Sequence, residues 1–276
     1  MGPHTHEAHD SERQNNPIGV FDSGVGGLTV VSELVSQIPR ERVVYFGDTA
    51  HLPYGTKSAA TILALSKKNV ELLLRYKVKL IIVACHSATS VGEDILRNES
   101  RVPIVGVITP GIDQACRVTK NCRIGVIGTP ATIASGSYSK AIKKKKTDVE
   151  VFCQAAGLFV PFVEEGWARH KLTRSVVEEY LEPLMKHDID TLILGCTHYP
   201  LLMPLIQKVV GANVHIIDSA YETVRCVKSF LIENRLAREI GSPDYQFIVS
   251  DDPEKFQKLG RMFLKSEIPL VKHVSC

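Results

Sequence analysis

Short apolar runs alternate along the chain with longer segments in which apolar residues recur at helical spacing. The run 18–21 ends at Asp22, and a glycine-rich turn then leads into a helical pattern over 28–37. This alternation predicts an α/β fold with parallel-type sheets flanked by helices. Helical spacing recurs over 56–77 and 172–185. Further strands are predicted at the apolar runs 43–46, 80–84, 104–108, 124–128, 149–153, 191–195 and 214–217.

The two halves of the chain carry similar strand-to-loop junctions. IGVFDSG in the first half corresponds to IGVIGTP in the second, and IIVACHSAT corresponds to LILGCTHYP. In the second pair each apolar strand ends in a cysteine, Cys85 or Cys196, followed by hydroxyl side chains and a histidine. Ligands of open α/β sheets bind beyond the carboxyl ends of the strands. We therefore predict two similar lobes with both thiols at the cleft between them.

Composition and charge limit the classes of protein that fit. The chain has 276 residues, of which 44% are hydrophobic and 23% charged, as is typical of a globular protein. A net charge of +3 is too small to indicate a nucleic-acid partner. No apolar run reaches the roughly 18–20 residues that cross a bilayer, so no membrane partner is expected.

The cysteines and the N-terminus indicate a location. The seven cysteines form no CxxC motif and are too sparse for a secreted disulfide scaffold, which favours free thiols in a reducing cytoplasm. Residues 1–17 lack the apolar core of a signal peptide and are predicted to be a disordered leader.

Three chemistries could use the cysteine pair. A zinc-dependent hydrolase could take Cys85, His86, Cys196 and His198 as ligands, although structural zinc sites usually have closely spaced ligand pairs. A Cys–His nucleophile would use one thiol and leave the other without a role. Two thiols facing each other across a substrate carbon suit the removal of a proton from one face and its return to the other. That arrangement is a two-base racemase or epimerase.

Several longer motifs resemble, in order, those of the cofactor-independent aspartate/glutamate racemase superfamily and of the glutamate racemases within it. The similarity runs from about Ile18 to the C-terminus, and its motifs are DSGVGGLTV at 22–30, GDTA at 47–50, PYG at 53–55, AC at 84–85 and GCTHYPL at 195–201. The resemblance implies an isomerase that interconverts L-glutamate and D-glutamate by a two-cysteine proton transfer, without a metal or other cofactor. It also implies supply of D-glutamate for peptidoglycan synthesis, and hence a role in cell-wall biogenesis and cell shape.

The resemblance further implies roles for individual residues. Cys85 and Cys196 would be the acid/base pair, with Asp22 assisting the first thiol and His198 the second. A larger group would hold the carboxylates and ammonium of the substrate: Asp22, Ser23, Pro53, Tyr54, Gly55, His86, Ser87, Thr129, Thr132, Thr197 and His198. Glu165 is expected as a further acidic contact.

The resemblance also implies a division of the chain. In the superfamily the C-terminal segment returns to the first lobe, which places lobe one at 18–105 plus 219–276 and lobe two at 106–218. The active site would lie between them. Oligomeric state varies in such proteins, so a homodimer stays open.

One motif departs from the superfamily pattern. The usual sequence is CNTAS, whereas this chain has CHSAT at 85–89. A neutral His86 can donate and accept hydrogen bonds as asparagine does, but it is bulkier and can become charged near neutral pH. Ser87 keeps the hydroxyl of the usual threonine. A racemase of aspartate or another acidic amino acid is therefore an alternative. A non-catalytic amino-acid sensor on the same fold is a further one.

Overall fold

The computed structural model describes residues 13–264 and 266–275, which form two parallel sheets with helices packed on them. The strands of the first sheet are β1 (Ile18–Asp22), β2 (Arg42–Gly47), β3 (Leu80–Val83), β4 (Ile104–Gly106), β9 (Asp244–Val249) and β10 (Val271–His273). Those of the second sheet are β5 (Arg123–Gly128), β6 (Glu150–Ala155), β7 (Thr191–Gly195) and β8 (His215–Asp218). The α/β fold with parallel sheets predicted from the sequence is thereby confirmed.

The sheet orders explain the similarity between the two halves of the chain. The first sheet has the order β10-β9-β2-β1-β3-β4, and the second has the order β6-β5-β7-β8. In each sheet the first strand of the half lies in parallel between the second and the third. The loops after β3 and β7, which carry the two cysteines, therefore occupy equivalent places beside the loops after β1 and β5.

Helices connect the strands and cover the sheets. They are α1 (Leu28–Gln37), α2 (Ala59–Leu74), α3 (His86–Glu99), α4 (Ile108–Val118), α5 (Pro130–Ala134), α6 (Ser137–Lys145), α7 (Phe159–Glu164), α8 (Lys171–Met185), α9 (Met203–Val210), α10 (Ser219–Glu233) and α11 (Pro253–Leu264). After β8, α10 packs against both α1 and α4, and the chain then returns to the first sheet through β9. Within the described residues no helix has both the length and the apolar character needed to cross a membrane.

Burial explains why the central strands are continuous apolar runs. Every residue of β1, β3 and β7 is buried. A strand covered by helices on both faces has no solvent side, so its sequence does not alternate. These three strands carry Asp22, Cys85 and Cys196 to their carboxyl ends.

Two element boundaries differ from the sequence prediction. The helix predicted over 56–77 begins only at Ala59, because the Ser58 side chain accepts a hydrogen bond from Thr61 N and caps it there. The strand predicted over 104–108 ends at Gly106, and α4 begins at Ile108. Pro110 does not stop this segment because it lies in the first helical turn, where its missing N–H needs no partner.

The predicted leader, 1–17, is only partly covered by the structure. Its residues 1–12 lie outside the described range. Residues 13–17 are bonded to the folded protein and not disordered: Lys79 Nζ donates to Gln14 O at 2.8 Å, and Lys79 N donates to Pro17 O at 2.9 Å. Backbone carbonyls of this segment therefore accept hydrogen bonds from Lys79, the residue that precedes β3.

Candidate active site

A cleft lies where the carboxyl ends of the strands in the two sheets face each other. The loops after β1 and β3 line it from one side, and those after β5 and β7 from the other. Most of the residues singled out from the sequence line it: Ser23, Pro53, Tyr54, Gly55, Cys85, His86, Ser87, Thr129, Cys196, Thr197 and His198. Asp22 and Thr132 are buried directly behind this lining and contact it through hydrogen bonds.

Cys85 lies beside a carboxylate. It is buried at the start of α3, and burial together with the negative charge of Asp22 raises the pKa of the Cys85 thiol to about 12. Asp22 accepts a hydrogen bond from Gly24 N at 3.1 Å. Its own pKa is raised by burial, although His198 and nearby backbone N–H groups oppose the shift. In the free protein Cys85 is therefore a protonated thiol next to a carboxylate that can receive its proton.

Cys196 lies beside an imidazole paired with a carboxylate. The Nδ1 atom of His198 is 4.0 Å from Cys196 Sγ, and its Nε2 atom is 3.0 Å from Glu164 Oε1. Burial disfavours the charged ring, but the hydrogen bonds and charges of Cys196 and Glu164 outweigh it and raise the pKa of His198 to about 10. The pKa of Glu164 is lowered by His198 against the opposing effect of burial. A cationic His198 can therefore donate a hydrogen bond to the second sulfur.

The two thiols thus have opposite neighbours across one cleft. Cys85 is next to the anionic group Asp22, and Cys196 is next to His198, which is cationic at neutral pH. This asymmetry suits a pair in which one thiol starts as the acid and the other as the base.

Gly26 allows the two sides of the cleft to approach each other closely. A Cβ atom at this position would lie 2.5 Å from His198 Nδ1 and closer still to Thr197 Oγ1. Any larger residue would have to displace the imidazole beside Cys196. The glycine-rich turn after β1 is therefore required by packing against the loop after β7.

Three hydroxyl groups form a polar wall of the cleft. The distance from Ser87 Oγ to Thr129 Oγ1 is 2.9 Å, from Ser87 Oγ to Thr132 Oγ1 3.3 Å, and from Thr129 Oγ1 to Thr132 Oγ1 3.0 Å. Thr129 also caps α5 by accepting a hydrogen bond from Thr132 N. Ser87 lies in the first turn of α3, in the first half of the chain, so the cluster joins the two halves. Its rotatable hydroxyls can turn to donate to a carboxylate.

Tyr54 lines the cleft, and its hydroxyl is bonded to two side chains of the first half of the chain. Its hydroxyl donates to Asp48 Oδ2 at 2.5 Å and accepts from Asn69 Nδ2 at 3.0 Å. Burial and the Asp48 carboxylate raise the pKa of Tyr54 above its ordinary value. The hydroxyl is therefore held by these two side chains behind the cleft.

The acidic contact expected at Glu165 is wrong by one residue. Glu165 is exposed at the end of α7, and its neighbour Glu164 is the residue that lines the cleft. Val160 lines the cleft as well, one helical turn earlier. That spacing of four residues on a helix was the signal by which Glu164 could have been found.

Burial favours the neutral form of His86 over the charged form that the sequence left possible. The ring is buried, and burial lowers the pKa of His86 to about 3. A neutral imidazole can both donate and accept a hydrogen bond.

The four side chains considered as zinc ligands do not form a metal site. Across residues 13–264 and 266–275, no group of three or more His, Cys, Asp or Glu side chains is arranged to hold a metal ion. His198 directs its two ring nitrogens toward Cys196 and Glu164.

Comparisons with known proteins agree in pointing to one family. The sequence model of the Asp/Glu/hydantoin racemase family matches residues 18–227. Glutamate racemase from Syntrophus aciditrophicus (strain SB) is 46% identical over 260 residues, which cover 94% of this chain and 96% of that protein. The structure of glutamate racemase from Francisella tularensis in complex with D-glutamate matches with a TM-score of 0.90 and 41% identity, covering 95% of this chain and 98% of that one. The structure of glutamate racemase isoform RacE1 from Bacillus anthracis matches with a TM-score of 0.92 and 37% identity, over the same shares of the two chains.

Proposed function

The chain belongs to the Asp/Glu/hydantoin racemase family, and we propose that it interconverts L-glutamate and D-glutamate by proton transfer between Cys85 and Cys196. The observation that carries the proposal is the placement of two buried thiols on one cleft with opposite electrostatic partners. No metal or organic cofactor takes part in the proposed reaction.

In the proposed mechanism one thiolate removes the α-proton while the other thiol delivers a proton to the opposite face of the same carbon. Asp22 receives the proton that Cys85 gives up, and His198 exchanges a proton with Cys196 at their contact of 4.0 Å. In the reverse direction the two thiols exchange roles. A site closed to water strengthens each of these interactions.

The negative charge that develops on the substrate requires donors already in place. The backbone at the start of α3 and the hydroxyls of Ser87, Thr129 and Thr132 are the groups proposed to hold the two carboxylates. Ser23, Thr197 and His86 line the same cleft and complete the proposed contacts.

The proposal extends to the role of the reaction in the cell. D-glutamate made by this protein would be used for peptidoglycan, in the cytoplasm, with glutamate as the partner molecule and no part for nucleic acid or membrane. Analytical ultracentrifugation would show whether the protein forms a homodimer.

The test follows the α-proton. Purified protein is incubated in D2O with L-glutamate, D-glutamate, L-aspartate and D-aspartate, while NMR follows loss of the α-proton and circular dichroism follows racemisation. We expect exchange and racemisation with both glutamate enantiomers. Cys85→Ser and Cys196→Ser should each lower the rate of racemisation by about 10²–10⁴-fold, as removal of an acid/base group does. Cys153→Ser is the matched control, because this thiol is exposed and outside the cleft.

Other outcomes distinguish the alternatives. Exchange with aspartate and not with glutamate would replace the proposed substrate while keeping the chemistry. A protein that binds glutamate but exchanges no α-proton would be a sensor. Stoichiometric zinc with activity lost to a chelator would favour the hydrolase.

A further inference from the structure

Buried polar atoms without a hydrogen-bond partner are concentrated behind the cleft. Within the described part of the chain they include both ring nitrogens of His86, the Ser219 hydroxyl and the Tyr138 hydroxyl. All three side chains are almost completely buried. They come from three separate helices, α3, α10 and α6. An unpaired buried polar group is costly, so such a concentration requires an explanation.

His86 connects the cleft with the other two side chains. It lines both the cleft and a small inner cavity, and Ser219 lines that inner cavity as well. Tyr138 lies near Ser219: burial raises the pKa of Tyr138, and Ser219 opposes this increase. Ser219 Oγ also lies against α4, since a Cβ atom at Gly111 would be 2.7 Å from it.

The inner cavity is too narrow to admit a water molecule that could bridge these atoms. The other polar side chains that line it have contacts of their own. Thr29 Oγ1 donates to Gly26 O, Cys196 Sγ and Thr197 Oγ1 lie beside His198 Nδ1, and Asp218 accepts from Ala220 N. Small rotations of the two hydroxyls and the imidazole are therefore the simplest way to pair these groups.

We propose that Tyr138, Ser219 and His86 form a directed hydrogen-bond chain that sets the tautomer of His86 for substrate binding. Tyr138 donates to Ser219 Oγ, and the Ser219 hydroxyl donates to the nearer ring nitrogen of His86. That nitrogen is then the unprotonated one, so the other nitrogen carries the hydrogen and donates it to a substrate carboxylate in the cleft. Ser219 and Tyr138 are positioning residues, because they act through His86 and do not line the cleft themselves.

The electrostatics of the position favour this arrangement. The pKa of His86 is lowered by burial to about 3, so the ring is neutral at physiological pH and can exist as either tautomer. A ring in the wrong tautomer would direct a lone pair at a carboxylate and weaken substrate binding. The inference rests on the proposed function for the identity of the ligand, but the tautomer itself is a property of the protein alone.

The first experiment measures the tautomer without reference to activity. Protein labelled with ¹⁵N-histidine is observed by long-range ¹H–¹⁵N NMR, and the His86 signals are identified among the ten histidines as those missing from His86→Asn. We expect a single tautomer in the native protein and a mixture of two in Ser219→Ala. Equal tautomer populations in the two proteins would overturn the inference even if racemisation is normal.

The second experiment measures substrate binding. Ser219→Ala should raise KM for glutamate by about 3–10-fold, as loss of one good hydrogen bond does, with kcat changed less than twofold. Tyr138→Phe should change KM in the same direction. Ser66→Ala is the control for deleting a buried hydroxyl, since Ser66 on α2 bonds only to the backbone O of Ile62.

A double-mutant cycle separates positioning from general destabilisation. In the His86→Asn background the side-chain amide has no tautomer to set, so Ser219→Ala should leave KM unchanged. If Ser219→Ala raises KM equally in both backgrounds, its role is structural and the chain is not formed as proposed. Absence of racemisation in every variant would refute the proposed function and leave the NMR result to decide the inference.

Discussion

Glu164 and Glu165 are neighbours in sequence with opposite surroundings. Glu164 is partly buried and 3.0 Å from His198 Nε2, whereas Glu165 is exposed. The carboxylate of Glu164 stabilises the charged form of His198. Glu164 therefore helps to raise the pKa of His198, whereas Glu165 contacts solvent.

Glu164→Gln should shift the pH dependence of the reaction. Removal of the negative charge lowers the pKa of His198 from its raised value, so His198 loses its proton at a lower pH. The decline of kcat on the alkaline side should then begin about one pH unit earlier, because a nearby opposite charge shifts a pKa by 1–3 units. Rates of racemisation measured from pH 6 to 10 provide the test.

Glu165→Gln is the matched control for this prediction. It removes the same charge one residue away, without a contact to His198. Its pH profile should coincide with that of the unchanged protein. An equal shift in both variants would show that net charge, and not the Glu164–His198 pair, sets the alkaline limit.

At the scale of elements, helix starts position the reacting groups. Cys85 precedes α3, whose Ala88 N–H donates a hydrogen bond to the Cys85 sulfur. Thr129 precedes α5 and caps it by accepting from Thr132 N. The contact between the two helices is polar: Ser87 at the start of α3 meets Thr129 and Thr132 at the start of α5. This contact brings hydroxyl groups from both halves of the chain together at the cleft.

Thr132→Val should weaken binding with little change in chemistry. The substitution keeps the shape of the side chain but removes the hydroxyl that holds Ser87 and Thr129 in place. We expect KM for glutamate to rise about 3–10-fold, which corresponds to one hydrogen bond, while kcat stays within about threefold. Steady-state kinetics in both directions measure this.

Thr173→Val is the control for that substitution. Thr173 is equally buried, and its hydroxyl donates to Trp167 O at 2.6 Å in a region that does not line the cleft. It should lower stability without raising KM. A similar rise of KM in both variants would mean that Thr132 acts only through the stability of the fold.

At the scale of the whole molecule, a buried ion pair lies at the end of the first sheet opposite to the cleft. Lys79 Nζ is 2.6 Å from Glu41 Oε2, and both side chains are almost fully buried. Lys79 also donates to Leu236 O, while Glu41 accepts from Arg238 N. The pair therefore holds the start of β3 to segments far away in the sequence.

Lys79→Met should lower the free energy of unfolding by about 3–5 kcal/mol, because it leaves Glu41 as an unpaired buried charge. Lys79 and Cys85 lie at opposite ends of β3, so the ion pair does not contact the cleft. Racemisation by the folded variant should therefore be nearly unchanged. Urea unfolding and kinetics measure the two effects. Lys67→Met, which breaks an exposed pair with Glu99, should cost no more than about 1 kcal/mol.

The sequence by itself determined the α/β class, the helix over 28–37 and the placement of the two thiols at equivalent strand ends. Each of these depends on local patterns. A strand buried on both faces has to be apolar along its length, and in a parallel sheet the carboxyl ends of such strands lie at one edge. Local patterns also misplaced the end of β4, because Pro110 is compatible with a first helical turn.

Only the tertiary structure decided which polar side chains meet. Glu164 and His198 are 34 residues apart, and Glu41 and Lys79 belong to different segments, so no local pattern specifies either pair. No local pattern specifies the surroundings of His86 either. Its pKa is lowered by burial between the cleft and the start of α10, which is far away in the sequence. Hydrogen bonding and charge depend on distance in space and on exclusion of water, and both exist only once the two sheets have packed around the cleft.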